Sequence, residues 1–365
     1  MKFGRTIEDL IVELDRQNNV KRDFLAPMRS IMMENTYDGQ QLRMQGNGFA
    51  QMMRINPICH EQIATSLKIP MGYYNRMAEQ EPELLVHNVN RWFQHGDNPE
   101  STRMIRTLDG TARAFLSDKY KRIDNWDIAQ AVLPILYDVP GIKMESCQVT
   151  DERLYLKAVT PKLTADIRVG DAVQAGIMIT NSEVGRGMVK VQPLLYRLVC
   201  TNGMVANDSK VSQRHRHIGK RLEATDDYGV YSDDTLQLEA AALIGKLRDS
   251  VKATFDEERF ASLTGKMKAA AEVPIGTKNV PGFIELAATQ FGIEKGKESN
   301  LVMEAFITDH DYSLYGLANA VTKAAQSVES YDRSTEMEEI GYEILTSPVK
   351  SLLSLVKRAE EAVAA

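Results

Sequence analysis

The feature that most constrains this chain is a pair of alternating segments around a glycine-rich turn. Val173, Ala175, Ile177 and Ile179 alternate with Gln174, Gly176, Met178 and Thr180, and Val189 and Val191 alternate with Met188, Lys190 and Gln192. A period of two places successive side chains on opposite faces of a pleated strand, so the pattern predicts two half-buried strands. The connection, Asn181-Ser182-Glu183-Val184-Gly185-Arg186-Gly187, carries glycine where the backbone must reverse. Beyond it come Thr201-Asn202-Gly203-Met204 and a basic run of Lys210, Arg214, His215, Arg216, His217, Lys220 and Arg221. A sheet edge loaded with cations predicts a polyanionic ligand, nucleic acid first; a solvated loop is the plainer alternative.

Charge is divided unevenly along the chain. The net charge is -6, yet residues 101–222 hold 19 Lys or Arg against 12 Asp or Glu, which is +7 and leaves -13 for the remainder. Such segregation fits a nucleic-acid surface between acidic flanks. At 365 residues and 43% hydrophobic composition, the chain can bury a substantial core. Its longest apolar runs fall short of the ~20 residues that span a bilayer. Met1-Lys2-Phe3-Gly4-Arg5 leads into an amphipathic helix instead of a signal-peptide core, so a cytoplasmic protein without a membrane partner is expected. Cys59, Cys147 and Cys200 are widely spaced and odd in number, which points to reduced core thiols.

Four regions follow from the periodicities. Residues 1–100 read mainly as an N-terminal helical region: Ile7, Leu10, Ile11 and Leu14 form one stripe, Cys59, Ile63, Ala64 and Leu67 another, and a further helix follows Pro82. Residues 101–222 read as a basic β-rich core, with strands at 103–107 and 111–116 around Asp109-Gly110, a helix from Trp126 to Tyr137, and strands at 142–149 and 153–160. Residues 223–234 form an acidic hinge with Glu223, Asp226, Asp227, Asp233 and Asp234. Residues 235–365 form a C-terminal helical region, marked by Leu236, Ala240, Leu243 and Leu247 and by Leu314, Leu317, Ala318 and Val321. The fold class expected is α+β: a central antiparallel β-sheet with a basic β-hairpin, flanked by N-terminal and C-terminal helices.

Catalytic chemistries can be held against what they require. A phosphate-cradling loop needs glycines followed by Lys and Ser or Thr, and nothing fits. His215-Arg216-His217 is the only close pair for zinc and lacks two further ligands, so no metal and no cofactor are expected. Asp118 and Asp124 could hold magnesium in a nuclease, but they read more strongly as a turn and as the cap of the Trp126 helix. There is no Gly-x-Ser-x-Gly elbow, and no catalytic residue is assigned. Binding chemistry has more support, because single strands are held by cations along the phosphates and aromatic rings against the bases. Arg103 and Arg106 precede a run of Arg113, Phe115, Lys119, Tyr120, Lys121 and Arg122; Arg186, Lys190, Tyr196 and Arg197 repeat the interleaving on the second hairpin. With Lys210, Arg214, Arg216, Lys220 and Arg221, these are the expected nucleic-acid contacts, although each ring also suits a strand core.

Several segments resemble an uncharacterised phage/plasmid-like protein family: Ile69-Pro70-Met71-Gly72-Tyr73-Tyr74, the run Arg106 to Tyr120, Ile123-Asp124-Asn125, Leu198-Val199-Cys200-Thr201-Asn202-Gly203 and Leu314 to Thr322. The resemblance covers about residues 55 to 345. The order of elements is, more remotely, similar to phage single-strand annealing proteins of the RecT, Erf and Redβ kind. That likeness implies ATP-independent binding and annealing of single-stranded DNA in phage or plasmid recombination, by a homo-oligomeric ring or filament. It leaves room for a single-strand-binding protein or nuclease docked on the C-terminal helices. The alternatives are a non-enzymatic interaction protein acting on a host or phage protein, and a metal-dependent nuclease.

Overall fold

The computed structural model describes residues 1–46, 49–207, 213–215 and 233–364. The fold is α+β. The chain opens with α1 (Ile7–Val20), whose Thr6 hydroxyl accepts from the Asp9 amide and whose Leu10 and Leu14 are buried. Four strands follow: β1 (Arg22–Pro27), β2 (Ile31–Thr36), β3 (Gly39–Gly46) and β4 (Phe49–Ile55). Then come α2 (Pro57–Ser66), α3 (Met71–Gln80), α4 (Pro82–His95), β5 (Thr102–Leu108), β6 (Thr111–Ser117), α5 (Asn125–Tyr137), β7 (Lys143–Val149), β8 (Leu154–Arg168), β9 (Asp171–Asn181) and β10 (Val189–Arg197). After β11 (Asn202–Val205) and the short β12 (Gln213–His215), helices α6 (Asp233–Thr254), α7 (Glu257–Ala271), α8 (Val280–Phe291), α9 (Glu298–Thr308), α10 (Leu314–Ala324), α11 (Tyr331–Thr346) and α12 (Val349–Ala364) complete the chain.

Two sheets replace the single one expected. The first has the order β1-β5-β6-β4-β3-β2, antiparallel except where β4 runs parallel to β6. The second runs β11-β10-β9-β8-β7, with β12 also on the β10 edge. The first sheet corrects the reading of residues 1–100 in part: helices α1 to α4 are present, but strands β1 to β4 stand among them. Ile31 and Met33, Leu42 and Met44, and Met53 alternate inward as strands should, against Cys59, Ile63, Leu85, Val89 and Phe93 from α2 and α4. Methionine and glutamine, which favour helices, obscure that period of two. The Asp109-Gly110 turn is as expected, both residues having positive φ (51° and 72°) between β5 and β6.

The second sheet is covered on both faces, which corrects the half-buried strands of the sequence. Ile177, Ile179, Val189 and Val191 pack with Leu10, Leu14, Val132, Leu136, Leu247 and Val251 from α1, α5 and α6. On the opposite face Tyr155, Val159, Met178 and Leu194 meet Tyr331 at the start of α11. Thr180 and Gln192, expected to face solvent, are buried too. The remaining C-terminal helices close around a large apolar cluster of their own that also takes in Val173, Ala175 and Leu195. No helix among the described residues is long and apolar enough to cross a membrane.

Lys157 on β8 and Glu338 on α11 form an ion pair at 2.6 Å, both with 0% side-chain exposure. The same ammonium donates to Thr335 at 3.0 Å and lies 4.8 Å from the centre of the Tyr331 ring. A buried charge left without its partner is strongly destabilising, whereas removing both can be neutral. Lys157→Met alone should therefore lower unfolding free energy by about 3–5 kcal/mol, and the double change Lys157→Met with Glu338→Leu should recover much of that in urea denaturation.

Candidate nucleic-acid interface

The glycine-rich connection does not project as a loop tip; it is the bolt between the two sheets. Asn181 donates to the Ile123 carbonyl and the Asn125 side chain, both at 2.9 Å, and the Ser182 hydroxyl donates to the Glu152 carbonyl at 2.8 Å. Gln62 of α2 donates to the Val184 carbonyl at 2.7 Å while accepting from the Phe115 amide at 2.7 Å. Val184 packs with Ile58 and Ala114. Gly185 has φ +76°, and a Cβ there would stand 2.7 Å from Leu116 Cδ2. Its lack of a side chain is needed for the left-handed backbone, and it also lets Leu116 pack close without shifting.

At the centre lies Glu183, whose carboxylate accepts from the Asn125 amide at 2.6 Å and from the guanidinium of Arg113. Its carbonyl accepts from Arg106 at 3.0 Å. Arg106 is 0% exposed and binds Asp23 at 2.9 Å and Asp124 at 2.5 Å; Lys21 also binds Asp124, at 2.6 Å. Burial alone would raise the Asp124 carboxyl, but Arg106 and Lys21 outweigh it and hold the group below its usual value. Asp124 stands at the N-cap position of α5, as expected, yet its side chain turns to these cations instead of the helix amides.

This network takes up some of the expected contacts, and several others are paired elsewhere. Arg106 and Arg113 are sealed within it, and burial together with bidentate pairing leaves no face of Arg106 for a phosphate. Arg186 is paired with Glu61 and Arg197 with Asp171, the latter through two bonds at 2.6 and 3.0 Å. Lys190 lies 3.5 Å from Glu339. Phe115 is buried and stacked on Phe93 with 5.8 Å between centroids. Tyr120 donates to the Ser182 carbonyl at 2.8 Å, and Tyr196 is half-buried. Lys121 is half-buried, Lys119 is exposed, and Arg122 is exposed with a weak contact to Asp23 at 3.5 Å. The backbone of Arg214 in β12 stands opposite Lys190, while Lys210, Arg216, Lys220 and Arg221, together with Glu223, Asp226 and Asp227 of the acidic hinge, lie outside the described residues.

Arg103 behaves differently. On β5 opposite Ser117, it lies over the Phe115 ring at 5.7 Å, and its Nε is buried without a hydrogen-bond partner. Burial pulls its pKa below the usual arginine value. It lines a cavity of about 290 Å³ with Ser66, Lys68, Trp92, Asn98 and Ser101. The Ser66 hydroxyl is buried without a partner as well, and Trp92 keeps 46% of its surface exposed. Lys68 pairs with Asp97 at 3.3 Å, but both are more than four-fifths exposed, where such a pair contributes little. The sequence reading missed Ser66, Lys68 and Trp92; the available signal was a tryptophan in the last turn of α4 beside Arg91 and His95.

A second, larger cavity of about 670 Å³ lies along α11 and is lined by Arg333, Glu336, Glu339 and Glu343 with Asn207 and Tyr342. Glu339 is taken by Lys190, Gln192 and Asn207. Among the described residues no group of three or more His, Cys, Asp or Glu is arranged to hold a metal ion; Asp118 accepts from Ser117, and Asp124 is committed to its cations.

Residues 114–243, which run from β6 through the second sheet into α6, match the model of a family described as a domain of unknown function, DUF932. No curated protein and no solved structure matches the chain.

Two measurements check the junction. Gly185→Ala should destabilise the fold by at least about 1 kcal/mol in urea, from the positive φ alone. Asp124 has a folded pKa below its usual 3.8, so its contribution is present above about pH 4 and is lost as pH falls through the lower folded value. Asp124→Asn should be less stable at neutral pH and should show a shallower loss of stability on acidification below about pH 4, followed by circular dichroism.

Proposed function

We propose that this chain binds single-stranded DNA without sequence preference and pairs complementary strands without a nucleotide cofactor. The observation that carries this reading is the cavity beside the start of β5, where Arg103, with no carboxylate in salt-bridge distance among the described residues, and the exposed Lys68 accompany the half-exposed Trp92. The exposed Lys119 and Arg122 follow the end of β6, the strand that pairs with β5. Cations for phosphates beside an accessible ring are what strand binding without base readout requires. The cations bound inside the junction hold the scaffold instead. The extension to strand pairing and to assembly into a ring or filament rests on the resemblance, read from the sequence, to annealing proteins of the RecT, Erf and Redβ kind. In that mechanism no covalent step is needed: cations neutralise one backbone, most base edges stay open, and adjacent subunits align the strand for a complementary one.

A second reading, an interaction protein whose C-terminal helices dock a basic partner, draws on the carboxylate-lined cavity of α11. Salt separates the two. Fluorescence anisotropy with a labelled single strand, without ATP, should show binding that weakens steeply as salt rises. Exchanging Lys119 and Arg122 for Ser should lower affinity and flatten the logarithmic salt slope by about 0.7 for each phosphate no longer neutralised. Purified protein should also speed annealing of complementary oligonucleotides at low salt. No strand binding at low salt would leave the interaction reading standing and overturn this one.

A further inference from the structure

Resting on the single-strand reading, we propose that the cavity between the ends of α2 and α4 takes one unstacked base of the strand, with its ring on Trp92 and its edge read by Ser66 and Arg103. The chemistry of the walls selects a base over a bare phosphate. Both helices end here, and a helix C-terminus presents carbonyls and the negative pole of its dipole, which disfavours an anion and welcomes donors. At the end of α2 the carbonyls of Ile63, Ala64 and Thr65 receive the amides of Leu67, Ile69 and Lys68; the Ser66 carbonyl is not among them. Against these acceptors stand two buried atoms without partners, Arg103 Nε as donor and Ser66 Oγ as donor or acceptor. Buried polar atoms are ordinarily hydrogen-bonded, so two orphans on residues that line one cavity mark a place where a small side-chain adjustment lets a ligand complete them.

The mixed wall fits the mixed donor and acceptor edge of a nucleobase, and the exposed indole supplies the flat face that every base can stack on. The volume, about 290 Å³, sits at the small end of ligand pockets and suits one flat heterocycle. At the rim, Lys68 is 83% exposed and available to a phosphate next to the captured base. Gly96 closes the end of α4 over this site: a Cβ there would lie 2.5 Å from the Trp92 carbonyl and 3.5 Å from the indole ring. A duplex presents no base without first unstacking it, so the cavity makes the protein prefer single strands.

The test uses the full chain with Trp126→Phe, which leaves Trp92 as the only indole of the two tryptophans. Oligothymidylate of about ten nucleotides should quench Trp92 emission, and a hairpin duplex should not. By anisotropy on the otherwise natural chain, Trp92→Leu should weaken oligothymidylate binding about tenfold, Trp92→Phe should retain most of it, and Arg103→Gln should cost several-fold, with circular dichroism unchanged because Trp92 lies outside the buried stripe of α4. Strand binding with unaltered Trp92 emission and unaltered affinity in Trp92→Leu overturns the cavity assignment and leaves the strand-binding reading intact. Absence of strand binding by the natural chain at low salt overturns both.

Discussion

Glu183 between Arg106 and Arg113 is the interaction on which the two-sheet arrangement depends. Neither arginine could be buried on its own hairpin, because an uncompensated interior charge costs several kcal/mol. The carboxylate that compensates Arg113 comes from the β9–β10 connection, and the same residue's carbonyl meets Arg106. Asp23 and Asp124 supply the other half of the pairing from β1 and from the start of α5. The sheets therefore dock in one register only, since any slide would strand a charge. Once the desolvation of every member is included, such a network adds little net stability over a well-packed apolar core, while the loss of any one member is costly.

This arrangement changes what the basic character of the middle of the chain means. A count of +7 over residues 101–222 describes composition, and much of it is internal: Arg106, Arg113 and Lys157 face carboxylates in the interior, and Arg186 and Arg197 face them at partly covered sites. Their fields are largely cancelled at short range. What remains for a polyanion is a smaller set, of which Arg103, near the start of β5, shares a cavity with Trp92. The scaffold and the candidate interface thus share two adjacent strands, with Arg106 pointing into one and Arg103 into the other.

The mixed α+β class, the β5–β6 hairpin, α5, and the strands on either side of the glycine-rich turn were legible, because alternation and the Asp-Gly turn are local signals. The first sheet was not, since Met32, Met33, Gln40, Gln41, Met44 and Gln45 carry helix-favouring side chains and their strand period shows only through Ile31, Leu42 and Met53. The covering of both faces of the second sheet was hidden for a different reason. Thr180 and Gln192 are polar and read as outward, yet packing against other elements decides burial there. The site was less legible still: charge type is visible in sequence, but pairing is a property of three dimensions, so Arg106 and Arg103 look alike until Asp23 and Asp124 are placed.

The pairing of Lys157 with Glu338 joins residues 181 positions apart in the chain. Arg5 is bridged to Cys147, and Lys2 donates to the Val328 carbonyl at 2.7 Å, so the earliest residues also wait for later ones. Contacts this distant in sequence must overcome the entropy of closing long loops before they return any stability, which makes assembly slow by topology. During synthesis the second sheet leaves the ribosome with one face uncovered until α11 follows. In that interval Tyr155, Met178 and Leu194 are bare and the ammonium of Lys157 sits among them still hydrated, a charge that keeps the uncovered face soluble until the helix carrying its carboxylate arrives.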